Sequence, residues 1–143
     1  MESKFVFITP AYNCEKEISK TLFSMLSQSY TNWRAVFIDD VSDDNTSQVI
    51  EDVSKRLDLG DKVKVIRREE KHGETKNTLK EIENIEDSEI VCRLDGGDWL
   101  TENDTLAYLD SIYRQYNPGV LWTNHRWAYT PRNISGPLNL NER

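Results

Sequence analysis

Short apolar runs alternate with helix-like segments along this chain, and this alternation restricts the fold more than any other feature. The predicted strands lie at residues 4–8, 33–38, 62–67, 89–94 and 120–124, and the predicted helices lie at 15–28, 46–57, 74–84 and 106–116. The run at 4–8 is apolar on both faces, as is typical of a buried parallel strand. The β-α-β-α-β-α-β-α-β order therefore predicts a single α/β domain with a mostly parallel, doubly wound sheet.

Acidic residues follow two of these strands at their carboxyl ends. Asp39 and Asp40 close the second strand, and the loop 95–98, with the sequence DGGD, follows the fourth. The carboxyl ends of parallel strands share one rim of a sheet, and ligands bind there near the topological switch point. Together with residues 10–13 after the first strand, these positions predict one ligand site on that rim.

Local signals add expectations about single elements. Pro10 is expected to end the first strand, and Asn13 is expected to cap the helix that follows. The third helix carries Leu79 and Ile82 as its apolar positions. These assignments define which side chains we expect at the rim and in the core.

Charge and composition limit the classes of partner. The chain has 143 residues and a formal net charge of −7 at pH 7, which disfavours nucleic acid because phosphate backbones require clustered cations. No signal peptide and no run of membrane-spanning length is present in the sequence, so we expect a cytoplasmic protein without a membrane-spanning segment. Cys14 and Cys92 have no metal-type spacing and are predicted to be buried free thiols.

The rim residues suit a nucleotide bound through a metal-held diphosphate. Tyr12 could stack on a base, and Asp95 could accept hydrogen bonds from ribose hydroxyls. Asp98 could bind Mg²⁺ or Mn²⁺ together with the diphosphate, and Lys76 could add positive charge. The alternative is that Tyr12 belongs to the core and the acidic pair caps a loop. Nucleotidyl transfer at phosphorus and glycosyl transfer at an anomeric carbon both fit, and spacing alone does not separate them.

Five blocks, in this order, resemble the opening of a family 2 glycosyltransferase with a GT-A fold. The blocks are FITPAYN at 7–13, LSQSY at 26–30, DDVSDDNT at 39–46, HGETKN at 72–77 and LDGGDW at 94–99. The last is similar to the D-x-D block of that family, and the resemblance covers about residues 4–124. It implies an enzyme that transfers a sugar from a nucleoside-diphosphate sugar, such as a UDP-sugar, to an acceptor hydroxyl with inversion. The acceptor would be a glycan, a lipid-linked molecule or a protein.

The resemblance also implies roles for individual residues. Asp40 would bind the base, and Asp95 would hold the ribose or the sugar-phosphate side. The residues implied to contact the donor are Thr9, Pro10, Tyr12, Asp39, Asp40, Lys76, Asp95 and Gly96. The family's usual metal-binding acid falls at Gly97, which has no ligand atom, so Mn²⁺ or Mg²⁺ is expected at Asp98 and Asp95. Val41 replaces a usual glycine of the second block.

The resemblance implies a donor-binding domain at residues 1–128, followed by an irregular tail or the start of an acceptor-binding region at 129–143. The family's catalytic base usually lies beyond the D-x-D strand, so we expect it outside this chain. His125 is more typical of a structural or exposed histidine than of a base. The alternative function is a nucleotide-sugar-binding module without catalysis. A receiver-like domain fits less well because its acidic pair should end the first strand, whereas here the pair ends the second. A dinucleotide-binding Rossmann enzyme fits less well still, because no G-x-G-x-x-G follows the first strand.

Overall fold

A four-stranded parallel sheet with helices on both faces forms the centre of the computed structural model, which describes residues 2–124. The strands are β1 (Lys4–Ala11), β2 (Trp33–Asp39), β3 (Val63–Arg67) and β4 (Glu89–Arg93). The helices are α1 (Ile18–Leu26), α2 (Thr46–Arg56), α3 (Glu74–Ile82) and α4 (Thr105–Tyr116). All neighbouring strands are parallel, so the predicted α/β class is confirmed.

The strand order β3-β2-β1-β4 places β1 inside the sheet, with β2 on one side and β4 on the other. The chain runs outward from β1 to β3 and then returns to pair β4 with the opposite edge of β1. The order therefore reverses between β1 and β4, which is the switch point where ligands bind in open α/β sheets. The loops that follow β1, β2 and β4 all leave the sheet at this rim.

The larger core lies between the sheet and the helices α1, α2 and α4. Its fully buried members include Phe5, Phe7, Ile18, Leu22, Met25, Phe37, Ile50 and Leu106. Burial of each such large side chain contributes about 1.5–3 kcal/mol, so this face fixes the strands that carry the rim. Both cysteines are free; Cys14 is buried and Cys92 is half-buried, and burial raises the pKa of Cys92 to about 12.

Helix α3 covers the other face of the sheet with a polar side. Leu79 and Ile82, its apolar positions, are not its buried residues, since their exposed fractions are 59% and 39%. The buried side consists of Asn77, Thr78 and Glu81. The buried side of α3 is polar because it supplies partners to a buried hydrogen-bond network beneath the rim. This network is described with the site below.

Three local expectations are wrong. Strand β1 continues through Pro10 to Ala11, because these two residues still pair with the end of β2. On the other side, where β4 has ended, the Pro10 carbonyl accepts a hydrogen bond from the Gly96 N–H at 2.8 Å. Asn13 does not cap α1, which begins at Ile18, and it adopts a positive φ of 48° in the preceding loop. Residues 120–124 form no strand; within residues 2–124 the sheet ends at β4.

A buried carboxylate ties three strands together at the amino end of the sheet, opposite the rim. Glu89 opens β4 and accepts hydrogen bonds from Arg34 of β2 at 2.9 and 2.7 Å. Lys4 of β1 pairs with the same carboxylate at 2.8 Å. The hydrogen bonds from Arg34 lower the pKa of Glu89 to about 2. This ion cluster holds the strand starts in register.

Within residues 2–124 no helix is both long and apolar enough to cross a membrane. His125 and the predicted tail at 129–143 lie outside the described residues. The proposed domain boundary at residue 128 therefore stays a prediction.

Candidate functional site

The loops after β1 and β2 are joined along their length by hydrogen bonds. The Asp43 N–H donates to the Asn13 side-chain oxygen at 2.7 Å, and the Cys14 N–H donates to the Thr46 hydroxyl at 2.9 Å. Asn13 and Val41 both have positive φ angles, 48° and 65°, where these loops turn. The pairing gives the two loops one fixed geometry at the rim.

Asp40 is buried beneath the rim and holds the turn before α3. Its carboxylate accepts hydrogen bonds from the His72 N–H at 2.8 Å, the Gly73 N–H at 2.7 Å and the Asn77 side chain at 2.8 Å. Burial opposes ionisation of this carboxyl, yet these donors hold its pKa below the usual value. Asp40 therefore remains an anion that organises residues 72–77.

Asn77 links Asp40 to a second ion pair. Its amide nitrogen donates to Asp40, and its oxygen accepts from Arg68 Nε at 2.9 Å. Arg68 also donates to Glu81 at 2.8 Å, and both of these side chains are almost buried. Asn77 is fully buried, so each of its polar atoms depends on this network. Sequence reasoning assigned no role to Asn77. The sequence did offer one indication, because Asn77 is an amide in a helix segment with few apolar residues on its inward side.

The carboxylate of Asp39 accepts fewer hydrogen bonds than that of the adjacent Asp40. Its Oδ1 accepts a hydrogen bond from the Ser42 N–H at 2.9 Å. No donor among residues 2–124 reaches its second oxygen, Oδ2. Of the acidic pair, Asp39 is thus the carboxylate with an oxygen left for a ligand.

The predicted nucleoside contacts at the end of β1 differ in accessibility. Tyr12 is 44% exposed, and the Lys71 ammonium lies 3.4 Å from the centre of its ring. Thr9 is fully buried, and its hydroxyl has no hydrogen-bond partner among the described residues. Pro10 faces the DGGD loop through its carbonyl. Tyr12 is therefore the side chain of this segment that a base can reach.

The DGGD loop is packed against both β1 and α1. A Cβ atom on Gly96 would stand 2.9 Å from the Cβ of Ala11 and 3.1 Å from the sulfur of Cys14. Gly97 has a φ of +101° and donates its N–H to the Thr21 hydroxyl at 3.1 Å. The first glycine permits close packing, and the second permits a backbone turn that side-chain-bearing residues rarely adopt.

Asp95 is paired by an arginine that sequence reasoning missed. Arg93 Nε lies 3.0 Å from Asp95 Oδ1, and Arg93 Nη2 lies 3.3 Å from Asp95 Oδ2. The same guanidinium pairs with Glu74 at the start of α3. A signal was available: residues two apart at a strand end point to the same side, so a basic residue at 93 faces an acid at 95.

Lys76 lies apart from the acidic residues with which it was grouped. It lines an open groove of about 880 Å³ beside α3, together with His72, Glu74 and Lys80. Its ammonium makes no ion pair with the described residues. The structure thus brings Tyr12, Asp39, Asp95 and Gly96 to the rim and leaves Lys76 on its margin.

The DGGD loop carries two carboxylates of the type that binds divalent metals. Among residues 2–124 no three His, Cys, Asp or Glu side chains are grouped closely enough to hold a metal by themselves. Mg²⁺ and Mn²⁺ at diphosphate sites need one or two carboxylates, with substrate oxygens completing the shell. Asp95 and Asp98 match that requirement in type and number, while Gly97 adds no ligand.

Comparison with known proteins identifies similar chains. The family model described as "Glycosyl transferase family 2" matches residues 6–136. Poly(ribitol-phosphate) beta-N-acetylglucosaminyltransferase TarS of Staphylococcus aureus is 31% identical over 89% of this chain and 26% of its own length. The structure of TarS residues 1–349 with UDP-GlcNAc superposes with a TM-score of 0.70 at 28% identity, covering 80% of this chain and 32% of that one.

A more distant structure has the same fold. Mannosyltransferase PcManGT from Pyrobaculum calidifontis, with GDP-Man and Mn²⁺, gives a TM-score of 0.71 at 20% identity, covering 84% of this chain and 34% of that one. These matches confirm the predicted GT-A type of α/β fold. The chain spans between 22% and 34% of the length of the first curated relatives it matches.

Proposed function

The chain belongs to glycosyl transferase family 2, and from this premise we propose that it binds the nucleotide-sugar donor of a glycosyltransferase. The donor would be a UDP-sugar. The reaction would transfer its sugar to an acceptor hydroxyl of a glycan, a lipid-linked molecule or a protein, with inversion at the anomeric carbon. The whole reaction requires an acceptor site and a base in addition to the donor site.

One observation carries the proposal: an exposed aromatic ring, an available carboxylate oxygen and the DGGD loop meet at the switch point of a parallel sheet. Tyr12 follows β1, Asp39 ends β2, and Asp95 follows β4. This is the place where α/β sheets bind nucleotides. TarS, which is similar over 80% of this chain, has a structure with UDP-GlcNAc, and that likeness supports UDP as the nucleotide.

The geometry suggests a division of labour between the two acids after β2. In our proposal, Asp39 Oδ2 accepts a hydrogen bond from a base N–H while the ring of Tyr12 stacks on the base. Asp40, expected from the resemblance to bind the base, instead supports the turn at 72–77, because three internal donors already engage its carboxylate. Lys71 would leave the ring of Tyr12 when the base binds.

At the other end of the donor, Asp95 would accept hydrogen bonds from the ribose or the sugar-phosphate side. Gly96 would allow the ligand to approach the backbone. Asp98, with Asp95 as the second candidate, would hold Mn²⁺ or Mg²⁺ against the diphosphate. When bound, the metal would neutralise the charge that develops on the departing nucleoside diphosphate.

The nucleophile in this reaction is an acceptor hydroxyl, which a general base must deprotonate as the diphosphate leaves. The resemblance places the family's base beyond the D-x-D strand, so in our proposal the base lies outside residues 2–124. A second candidate function is a nucleotide-sugar-binding module without catalysis, and Gly97 at the position of a family metal ligand favours it.

Calorimetric titration of the 143-residue chain tests the proposal. We expect UDP and a UDP-sugar to bind in the presence of Mn²⁺, and GDP-mannose to bind more weakly. Tyr12→Ala should weaken UDP binding about tenfold, since base stacking is worth about 1–3 kcal/mol. Tyr108→Ala, which removes an exposed tyrosine of α4, is the matched control. The absence of binding to every nucleotide tested would refute the proposal, and binding without donor hydrolysis or transfer would select the module.

A further inference from the structure

The ring of Tyr12, the proposed stacking surface for the base, is covered by a side chain from another loop. The Lys71 ammonium lies 3.4 Å from the centre of that ring, within the range of a favourable cation–π contact. Both residues are at the surface, and Tyr12 is 44% exposed, so a ligand can reach the contact. A base that stacks on the covered face of Tyr12 must therefore displace the ammonium.

A single residue, Asp40, holds both partners of this contact in place. Its N–H donates to the carbonyl of Ala11, the residue before Tyr12, at 3.0 Å. Its carboxylate accepts hydrogen bonds from the N–H groups of the two residues after Lys71, at 2.8 and 2.7 Å. The two backbones are therefore fixed near each other by a buried anchor, while the lysine side chain is exposed. The ammonium can leave the ring by rotation of its own stem, without movement of either loop.

The cost of displacing the ammonium depends on what else the ligand carries. A cation–π contact at an exposed site changes an equilibrium constant by a factor of about two to five. A nucleoside has no charge at neutral pH, so it displaces the ammonium and offers nothing in exchange. A nucleoside diphosphate brings anionic oxygens on the same molecule, and an ammonium on a flexible four-carbon stem is suited to bind them.

We propose that Lys71 is a specificity-determining residue whose ammonium moves from the ring of Tyr12 to the diphosphate of the donor. In the free protein it competes with the base for the ring, and in the complex it stabilises the phosphates. The site therefore disfavours a nucleoside without phosphates. This inference rests on the proposed function, since it takes the ring of Tyr12 as the stacking surface. Its consequence is that the affinities for uridine and for UDP depend on Lys71 in opposite directions.

Titrations of the 143-residue chain with uridine and with UDP, both in Mg²⁺, test this inference. Protein NMR chemical shifts measure the affinities, because they report millimolar as well as tighter binding. Lys71→Ala uncovers the ring, so we expect it to bind uridine about two- to fivefold more tightly than the wild type does. The same variant should bind UDP about threefold or more weakly, because a charge-assisted contact with the phosphates is lost. Lys71 is exposed, so its replacement should leave folding intact.

Two control variants separate this exchange from an effect of net charge. Lys62→Ala removes the same charge and a contact of the same kind at the amino end of the sheet, where the ammonium lies 4.2 Å from the centre of the Trp33 ring. It should change neither affinity by more than about twofold, because distant exposed charges are screened. Lys71→Arg keeps a cation that both stacks on aromatic rings and binds phosphate, so both affinities should stay within about twofold of the wild type.

The NMR signals of the lysine side chain report the contact directly. In the free protein, the ring current of Tyr12 should shift the signals of the Lys71 ε-methylene protons upfield. Saturation with either uridine or UDP should abolish this shift, because the ammonium leaves the ring in both complexes. Signals of the Lys62 ε-methylene protons should not change on binding. An unshifted Lys71 signal in the free protein would refute the covering of the ring.

The outcomes distinguish the inference from the proposed function. If the wild-type chain binds UDP, but Lys71→Ala changes both affinities in the same direction or changes neither, the exchange is refuted while the donor site stands. Failure of uridine to bind even to Lys71→Ala would also refute it, since an uncovered ring should accept the base. Equal changes from Lys62→Ala would show an effect of net charge and likewise refute it. If the wild-type chain binds neither UDP nor a UDP-sugar, the proposed function itself fails.

Discussion

Gly96 and Ala11 are packed so closely that the Cβ of an alanine at position 96 would lie 2.9 Å from the Cβ of Ala11. The Gly96 N–H also donates to the Pro10 carbonyl at 2.8 Å. The DGGD loop thus continues the sheet beyond the regular end of β4 and is held against the end of β1. The position of Asp95 at the rim depends on this contact.

Gly96→Ala should therefore destabilise the fold and displace the loop. We expect a loss of about 1–3 kcal/mol in the free energy of unfolding, the usual cost of an overpacked contact, and a weaker affinity for UDP. Urea unfolding and calorimetry measure the two effects. Gly119→Ala is the control, because a Cβ there meets no atom within 4 Å and the backbone angle is ordinary. Equal stabilities of the two variants would contradict the close packing.

Gly97→Asp restores an acid at the position of the family's metal ligand, yet we expect it to be destabilising. The φ of +101° disfavours any residue with a Cβ, and strained backbone of this kind costs about 1–3 kcal/mol. Gly97→Ala should lose a similar amount of stability, which would identify the backbone as the cause. Chemical denaturation of both variants tests this, and an aspartate variant as stable as the wild type would show that the loop turns differently.

Val41→Gly should stabilise the protein. Val41 is a β-branched residue with a φ of 65°, in the left-handed region, and 40% of it is exposed, so its removal sacrifices little burial. Relief of about 1–2 kcal/mol of left-handed strain exceeds the entropy cost of the glycine, leaving a net gain of about 1 kcal/mol or less. Val91→Gly, in strand β4, should have the opposite sign. If Val41→Gly lowered the melting temperature, the inferred backbone strain at Val41 would be refuted.

Asn77→Ala should be costly because it leaves two buried partners unsatisfied. Asp40 and Arg68 both lose a hydrogen bond, and we expect a loss of about 1–3 kcal/mol of stability. The control is Asn84→Ala near the end of α3, an exposed site where the change should stay within about 0.5 kcal/mol. Both are measured by urea unfolding. Similar effects of the two substitutions would show that the network contributes little.

Acid should destabilise the protein through Glu89. The hydrogen bonds from Arg34 lower its folded-state pKa to about 2 from the usual value of 4.5, so the unfolded chain takes up the proton first as the pH falls. The stabilisation is complete above about pH 4.5 and is lost between that pH and about 2. Glu89→Gln should cost about 1.5–3 kcal/mol at neutral pH and flatten this dependence. A variant with the wild-type pH profile would exclude Glu89 as the source.

The parts of the fold that were predictable from sequence are those encoded by local pattern. Strand runs such as 33–38 are mostly apolar and rich in β-branched and aromatic residues, and the order of elements left few topologies. The rim was predictable because acids at the ends of parallel strands must meet on one side. The apolar positions of α3 gave a wrong prediction of its buried side. The inward side hydrogen-bonds to Asp40 and Arg68, and a polar network has no periodic sequence pattern.

Roles within the site were harder to predict than its place. The motif resemblance did not predict how the roles of Asp39 and Asp40 differ. Adjacent carboxylates differ only in the hydrogen-bond donors that distant segments bring to them. The donors to Asp40 come from residues 72–77, more than 30 positions away. The partner of Asp95 was closer, at Arg93, and the two-residue period of a strand end was enough to indicate it. The residue-level roles at the rim stay predictions that the binding experiments above decide.

The ion cluster around Glu89 affects which substitutions this chain can tolerate during evolution. It secures β1, β2 and β4 at their starts, about a strand's length from the loops at the rim. Substitutions in the loops therefore leave this ion cluster intact, because the cluster shares no side chain with the loops. Substitutions at the rim can therefore accumulate without loss of the contacts that hold the strands together, which a fold that used the same residues for stability and for its rim loops could not tolerate.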